Sequence, residues 1–299
     1  MAALAILAAA TTGVQVGASM VATRFVIDQT APASLALLRY AIGVGCLAAP
    51  VLLGPRVRFA ARDLLPIALL GIAQFGILIA VLNYGLRFVP SGRGALIFAL
   101  FPLLTMLVAA ALDHERLTMA KSVGVLLTIL GVALALGDKL MQPGGGASWV
   151  GELAVLAAAL IGAVCSVLYR PYLRKYPVLP VCAFAMLASV GFLALLAVPE
   201  GFFAAPPRFT PGGWIAVLFI GIGSGGGYYL WLWALGHASP TRVTVFLALS
   251  PLTAALLGPL LLDEAITLWL LAGLAAVMLG LWVAHWPERA AGEGTMRSG

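Results

Sequence analysis

Residues 101–136, FPLLTMLVAAALDHERLTMAKSVGVLLTILGVALAL, return in diverged form as residues 250–284, SPLTAALLGPLLLDEAITLWLLAGLAAVMLGLWVA. Pro102 falls on Pro251, Glu115 on Glu264 and Thr118 on Thr267, all at one offset of 149 residues. The frame runs outward without a gap. Upstream it pairs Gly13 with Gly162, Tyr84 with Trp233 and Arg93 with Arg242; downstream it pairs Gly124 and Gly131 with Gly273 and Gly280. Two unrelated apolar helices can share a proline, but they rarely hold a whole frame while the side chains between the anchors change. The pattern is that of a duplicated unit.

The composition places that unit in a membrane. Of 299 residues, 63% are hydrophobic and 9% charged, with a mean hydropathy of +1.08; a soluble domain carries about 25% charged residues. Apolar runs of about 18 residues or more recur along the chain, the length that crosses a bilayer as a helix. The net charge of +6 reads as basic cytoplasmic loops rather than a nucleic-acid-binding face, and no nucleic-acid partner is expected. Cys46, Cys165 and Cys182 are scattered through apolar runs and read as small buried hydrophobes. The N-terminus lacks a basic region before its apolar run, so it reads as a retained first span rather than a signal peptide.

Ten spans are expected, at about 2–22, 33–53, 64–86, 94–112, 119–136, 149–169, 178–198, 214–235, 242–262 and 266–283. The expected fold is an all-α polytopic membrane protein of ten transmembrane helices in two inverted five-helix repeats. Residues 1–138 form the first repeat, 139–148 a Gly-rich linker, 149–285 the second repeat and 286–299 a polar tail. Five spans per half force the second half to enter the membrane from the opposite side. With both termini cytoplasmic, the far side holds Arg24, Arg87, Arg93, Lys139 and Arg208, against 11 Lys and Arg on the near side and Arg39 within a span. That asymmetry points to both termini inside.

Polar groups within spans mark the candidate pathway. Arg39, about two turns into the second span, is the first choice, because an ionised side chain there must snorkel, pair or line a wet cavity; a structural alternative pairs it with an acid such as Asp63. Gln15 and Ser19 lie four apart and share a helix face. Asn83 and Tyr84 in span three, and Tyr228, Tyr229 and Trp233 in span eight, add polar handles and aromatic walls; Tyr229 is expected to face the central cavity. Pro102 and Pro251 are expected inside spans four and nine. Glu115 and Glu264 sit at matching junctions, where a carboxylate can accept from free N–H groups at the start of the next helix, and Arg93 and Arg242 sit at matching helix starts. Gly124, Gly131, Gly273 and Gly280 suit close helix approach, either within the chain or in a homodimer.

Other chemistries lack their residues. The run GIGSGGGYY in span eight has no Lys-Ser/Thr ending and no strand–helix setting, so it reads as closely packed backbone rather than a phosphate loop. Neither the DHE triplet at 113–115 nor any other cluster completes a metal site, and no cofactor is expected. His114, His237 and His285 lie at span ends, without a nucleophile–base arrangement, so an enzyme is not expected. Inverted repeats around a midplane cavity instead allow two states, one open on each face, which is the logic of a carrier. A scaffold or receptor is the alternative, separated from a carrier by saturable flux. Carboxylates are scarce within the spans, so proton coupling through a buried acid has weak support.

The pattern Gly13, Arg24, Pro32, LALLR ending at Arg39, then NYGLRFVPSGRGALIFALFPLLTMLVAAALDHERLT with its spaced glycines, resembles the drug/metabolite transporter superfamily, in its EamA-like branch. The resemblance covers about residues 4–285 and recurs in the second half. It implies a ten-helix inner-membrane carrier that exports an amino acid, another metabolite or a toxic compound, with a small-molecule substrate and the lipid bilayer as its partners. One departure is Asp263 before Glu264, where the family commonly has glycine.

Overall fold

The structure is a computed structural model that describes residues 2–55, 57–112, 119–137, 149–238 and 243–284. Among them there are helices and short connections and no strand. We number the helices α1 (Ala2–Val26), α2 (Pro32–Leu53), α3 (Ala61–Gly85), α4 (Ser91–Ala111), α5 (Met119–Ala135), α6 (Val150–Leu168), α7 (Val178–Ala197), α8 (Pro211–His237), α9 (Val245–Leu262) and α10 (Leu268–Ala284). Eight of them are long and apolar enough to cross a membrane; α5 and α10 are shorter, with apolar stretches Leu126–Ala135 and Leu268–Val283. Helix is the form expected of such sequence, since hydrocarbon supplies no partner for a free backbone N–H or C=O. Large side chains such as Leu65, Leu195, Leu256 and Leu260 point outward, the reverse of a water-soluble fold.

Local chemistry sets the ends and breaks. Pro32 and Pro211 occupy the first turns of α2 and α8, where a missing N–H breaks no hydrogen bond. The Thr210 hydroxyl accepts from the Gly213 N–H at 3.1 Å and caps α8. α4 is not continuous: it runs Ser91–Phe98, turns at residues 99–100 and resumes as Phe101–Ala111. Pro102, expected in a span interior, therefore stands in the first turn of a new segment, the position its ring tolerates. Its counterpart Pro251 is the third residue of the α-helical part Leu249–Leu262, which follows a 3₁₀ turn at Val245–Ala248. α3 contains one π-helical turn, Ile72–Ile77.

The halves pack with a twofold pattern. α1 packs on α8 and α9, and its counterpart α6 packs on α3 and α4; α2 packs on α7 and α8, and its counterpart α7 on α2 and α3. α4 meets α9, and α5 meets α10. Each of these contacts between halves recurs with the halves exchanged. Counterparts that meet run antiparallel, since Gly131 faces Gly273 while Gly124 faces Gly280, and Gly258 near the end of α9 faces Ser91 at the start of α4. The twofold therefore lies across the helix axes.

Glycines set the closest approaches. A Cβ at Gly13 would stand 2.0 Å from the Phe246 carbonyl oxygen, and one at Gly131 would stand 2.7 Å from that of Gly273. A side chain at either position would push two backbones apart. Cys165 and Cys182 are buried, as their apolar settings suggest, but Cys46 is exposed on α2.

Candidate functional site

Between the halves lies a narrow cavity of about 30 Å³, room for a few waters rather than for a metabolite. Its walls differ in chemistry. Thr12, Ser19 and Thr23 of α1 and Arg39 of α2 supply polar groups, whereas Leu78 and Leu82 of α3, Phe98 and Phe101 of α4 and Leu247 of α9 supply apolar surface. Tyr228 and Trp231 of α8 complete it.

Arg39 is 4% exposed. Its Nε donates to the Ser224 hydroxyl at 2.5 Å, and that hydroxyl donates in turn to the Ile220 carbonyl at 2.7 Å. Among the described residues no carboxylate comes within ion-pair distance of it. Asp63, the acid considered as its partner, instead pairs with Lys175 and accepts from the Tyr176 hydroxyl at 2.6 Å. The guanidinium lies 5.7 Å from the Tyr40 ring centroid and lines the cavity with no carboxylate partner among the described residues, an expensive placement unless a ligand or water answers it.

Facing the same cavity is Gln74, 3% exposed, with an Oε1 that has no hydrogen-bond partner. It sits in the π turn of α3; such turns are frequent at functional sites because they re-aim a side chain within a helix. Gln74 was not among the candidates read from the sequence, although a lone amide in a long apolar span carries the same signal as Arg39. Its repeat counterpart is Gly223, and that of Arg39 is Ala188, so both groups belong to one half alone.

Gln15 and Ser19 do share a face: Gln15 Nε2 donates to the Ser19 hydroxyl at 2.8 Å, and Ser19 lines the cavity. Gln15 itself fits a notch in α8, where a Cβ at Gly223 or Gly227 would stand 2.6 or 2.9 Å from its amide. The glycine run of α8 is thus a packing surface, with Gly223 and Gly227 against α1 and Gly221 and Gly225 against Ile42 and Gly43 of α2. Tyr228, not Tyr229, lines the cavity, edge-on to Phe75 at 4.8 Å; Tyr229 packs half-buried against the core. Trp233 stacks on His237 at 4.3 Å, and Tyr84 stands 41% exposed against Phe88. Asn83 donates to the Pro32 carbonyl at 3.0 Å. None of these last three lines the cavity.

Polar contacts also join the halves toward either end of the bundle. At one end, Glu200 accepts from the Ala33 and Ser34 N–H groups at 3.0 and 2.7 Å and so caps α2. Glu264 caps α4 in the same way, accepting from the Ser91 N–H at 2.8 Å and the Ser91 hydroxyl at 2.5 Å. The helix served is in the opposite half rather than the next one along the chain. Arg93 shares a small junction pocket with Glu264 without pairing to it. At the other end, Asp63, Lys175 and Tyr176 form a polar knot, in which the Ala60 N–H also donates to the Tyr176 hydroxyl at 3.0 Å. The repeat counterparts of these three are Gly212, Val26 and Ile27; Val26 and Ile27 pack with Ala216, Val217 and Ile220 in a wholly apolar cluster. One end is latched by charge and its symmetry mate by oil. Glu115 and Arg242 lie outside the described residues. Among the described residues no three His, Cys, Asp or Glu gather to hold a metal.

A duplicated bundle of apolar helices around a narrow, partly polar central cavity defines a multi-pass membrane transporter of small molecules. The model of the EamA-like transporter family matches residues 3–137 and again 149–286, and the chain belongs to that family. A probable terminal-alkyne amino-acid exporter of Streptantibioticus cattleyicolor is 33% identical over 81% of this chain and 80% of its own length. An uncharacterized transporter of Archaeoglobus fulgidus is 28% identical over 89% of this chain and 93% of its own. The aromatic amino acid exporter YddG of Ancylobacter novellus is 32% identical over 56% of this chain and 62% of its own. A solved crystal structure at 24% identity superposes with a TM-score of 0.69 over 93% of this chain and 95% of its own, a likeness of fold.

Proposed function

We propose that this protein is a secondary transporter that exports an amino acid or a related small metabolite across the bacterial inner membrane by alternating access. The observation that carries this reading is the Arg39 guanidinium, without a carboxylate partner among the described residues, placed with Gln74 in a cavity lined from both halves. Two amino-acid exporters among the relatives support the substrate class. The antiparallel pairing of counterpart helices supports two inverted repeats. Ten crossings follow if α5 and α10 also span, and their position favours it. α5 ends beside Trp269 of α10, close to the Glu264 junction, whereas it begins at the opposite end of the bundle, after α4. Cross-half loop contacts agree, since those of Glu200, Glu264 and Gln29 gather at one end and those of Lys175 and Tyr176 at the other. The excess of Lys and Arg supports placing the Lys175 end and both termini in the cytoplasm.

Substrate counterflow in proteoliposomes tests the reading. Vesicles preloaded with one unlabelled amino acid are expected to take up a labelled trace of it saturably. A correctly inserted protein that neither exchanges nor binds any member of a broad panel would instead be a scaffold or receptor. Among the described residues no carboxylate lines the cavity, so exchange is expected to persist when a protonophore abolishes the pH gradient.

A further inference from the structure

We infer that the cavity, widened as the halves part to admit a metabolite, reads its ligand by polarity: a carboxylate sits on Arg39, a neighbouring amino group donates to Gln74 Oε1, and an apolar side chain lies against Leu78, Phe98 and Phe101. This rests on the transporter reading and adds the ligand's orientation and the residues that choose it. Three observations converge. Arg39 spends one donor, Nε, on Ser224 and has no acid partner among the described residues, so its planar fork is available to an anion. A guanidinium matches a carboxylate with two parallel, charge-assisted hydrogen bonds. Gln74 lines the same cavity, and its buried Oε1 has no donor to satisfy it, a cost that an ammonium or amine reaching it from the cavity removes. The remaining wall is aliphatic and aromatic, suited to a side chain without charge.

The polarity also has a fixed sense. Both groups come from the first repeat, and their counterparts Ala188 and Gly223 offer neither charge nor amide. The ligand's charged end therefore stays with α2 and α3 whichever end of the cavity is open. A neutral ligand, or one carrying only a cation, would leave Arg39 unanswered in the membrane interior.

The test compares four compounds of one skeleton on protein in proteoliposomes: phenylalanine, its amide, phenethylamine and 3-phenylpropanoate. Counterflow and ligand-induced thermal shift are both read, so that binding is scored even where flux is absent. Phenylalanine is expected to bind best. 3-Phenylpropanoate, which lacks only the amine, is expected to weaken about tenfold, and the amide and phenethylamine, which lack the carboxylate, on the order of a hundredfold. Arg39→Gln is expected to erase the preference for the carboxylate, Arg39→Lys to keep part of it, and Gln74→Leu to erase only the preference for the amine. Phenethylamine competing as well as phenylalanine, or Arg39→Gln retaining the preference in protein with unchanged melting, would overturn the inference while leaving saturable transport standing. Absence of flux with carboxylate-selective binding intact would fault the transporter reading and not this one.

Discussion

Glu264 shows how much a single carboxylate does. It lies two residues past the end of α9 and accepts three hydrogen bonds from Ser91 and Gly92, tying the start of α4 to the other half of the molecule. Glu264→Ala is expected to destabilise the protein by about 1–2 kcal/mol, seen as a lower melting temperature in detergent, with Glu264→Gln losing less. Asp263 before it holds φ at 53°, the left-handed region that a helix C-terminus needs to reverse the chain. That conformation is why glycine suits this position, and Asp263→Gly is expected to stabilise by up to about 1 kcal/mol in the same assay. The sequence showed that Glu264 sits at a junction and would cap a helix. It could not show which helix, because the partner lies 173 residues away and nothing local encodes it.

Among the elements, α5 and α10 are the pair whose meeting was most legible. Their glycines recur at matched positions in both repeats, and the structure puts Gly131 against Gly273 and Gly124 against Gly280. Gly131→Val is expected to melt several degrees lower, because the added atoms meet backbone on both sides. Gly226→Ala on α8, where a Cβ meets nothing within 4 Å, is expected to be neutral or mildly stabilising. α8 was harder to read. Apart from Ser224 and the terminal His237 its length is apolar, aromatic or glycine, so no polar face marks which of two adjacent tyrosines points inward, and the cavity received Tyr228 rather than Tyr229. Pro102 and Pro251 read as interior to continuous spans, and the breaks before Phe101 and Leu249 went unread, since a proline marks a helix's first turn as readily as its interior. The π turn that aims Gln74 left no trace in the sequence pattern.

At the level of the whole molecule, the two ends differ more than the duplication suggests. The repeat frame predicts equivalent closures, yet divergence has made one a knot of Asp63, Lys175 and Tyr176 and the other a cluster around Val26 and Ile27. Asp63→Asn combined with Lys175→Met is expected to shift the population toward the state open at that end, seen as wider spin-label distances between α3 and α6. Raised salt is expected to have the same direction of effect on the unmodified protein and none on the doubly substituted one, because screening acts on the ion pair alone.

Accessibility of the cavity from each side of the membrane is the measurement to make. In protein with Cys46, Cys165 and Cys182 replaced, Ser19→Cys places one thiol on the cavity wall. Alternating access predicts that a membrane-impermeant thiol reagent labels it from either face of oriented vesicles, and that a bound amino acid slows labelling from both. Labelling from one face only, whatever the ligand present, would contradict it.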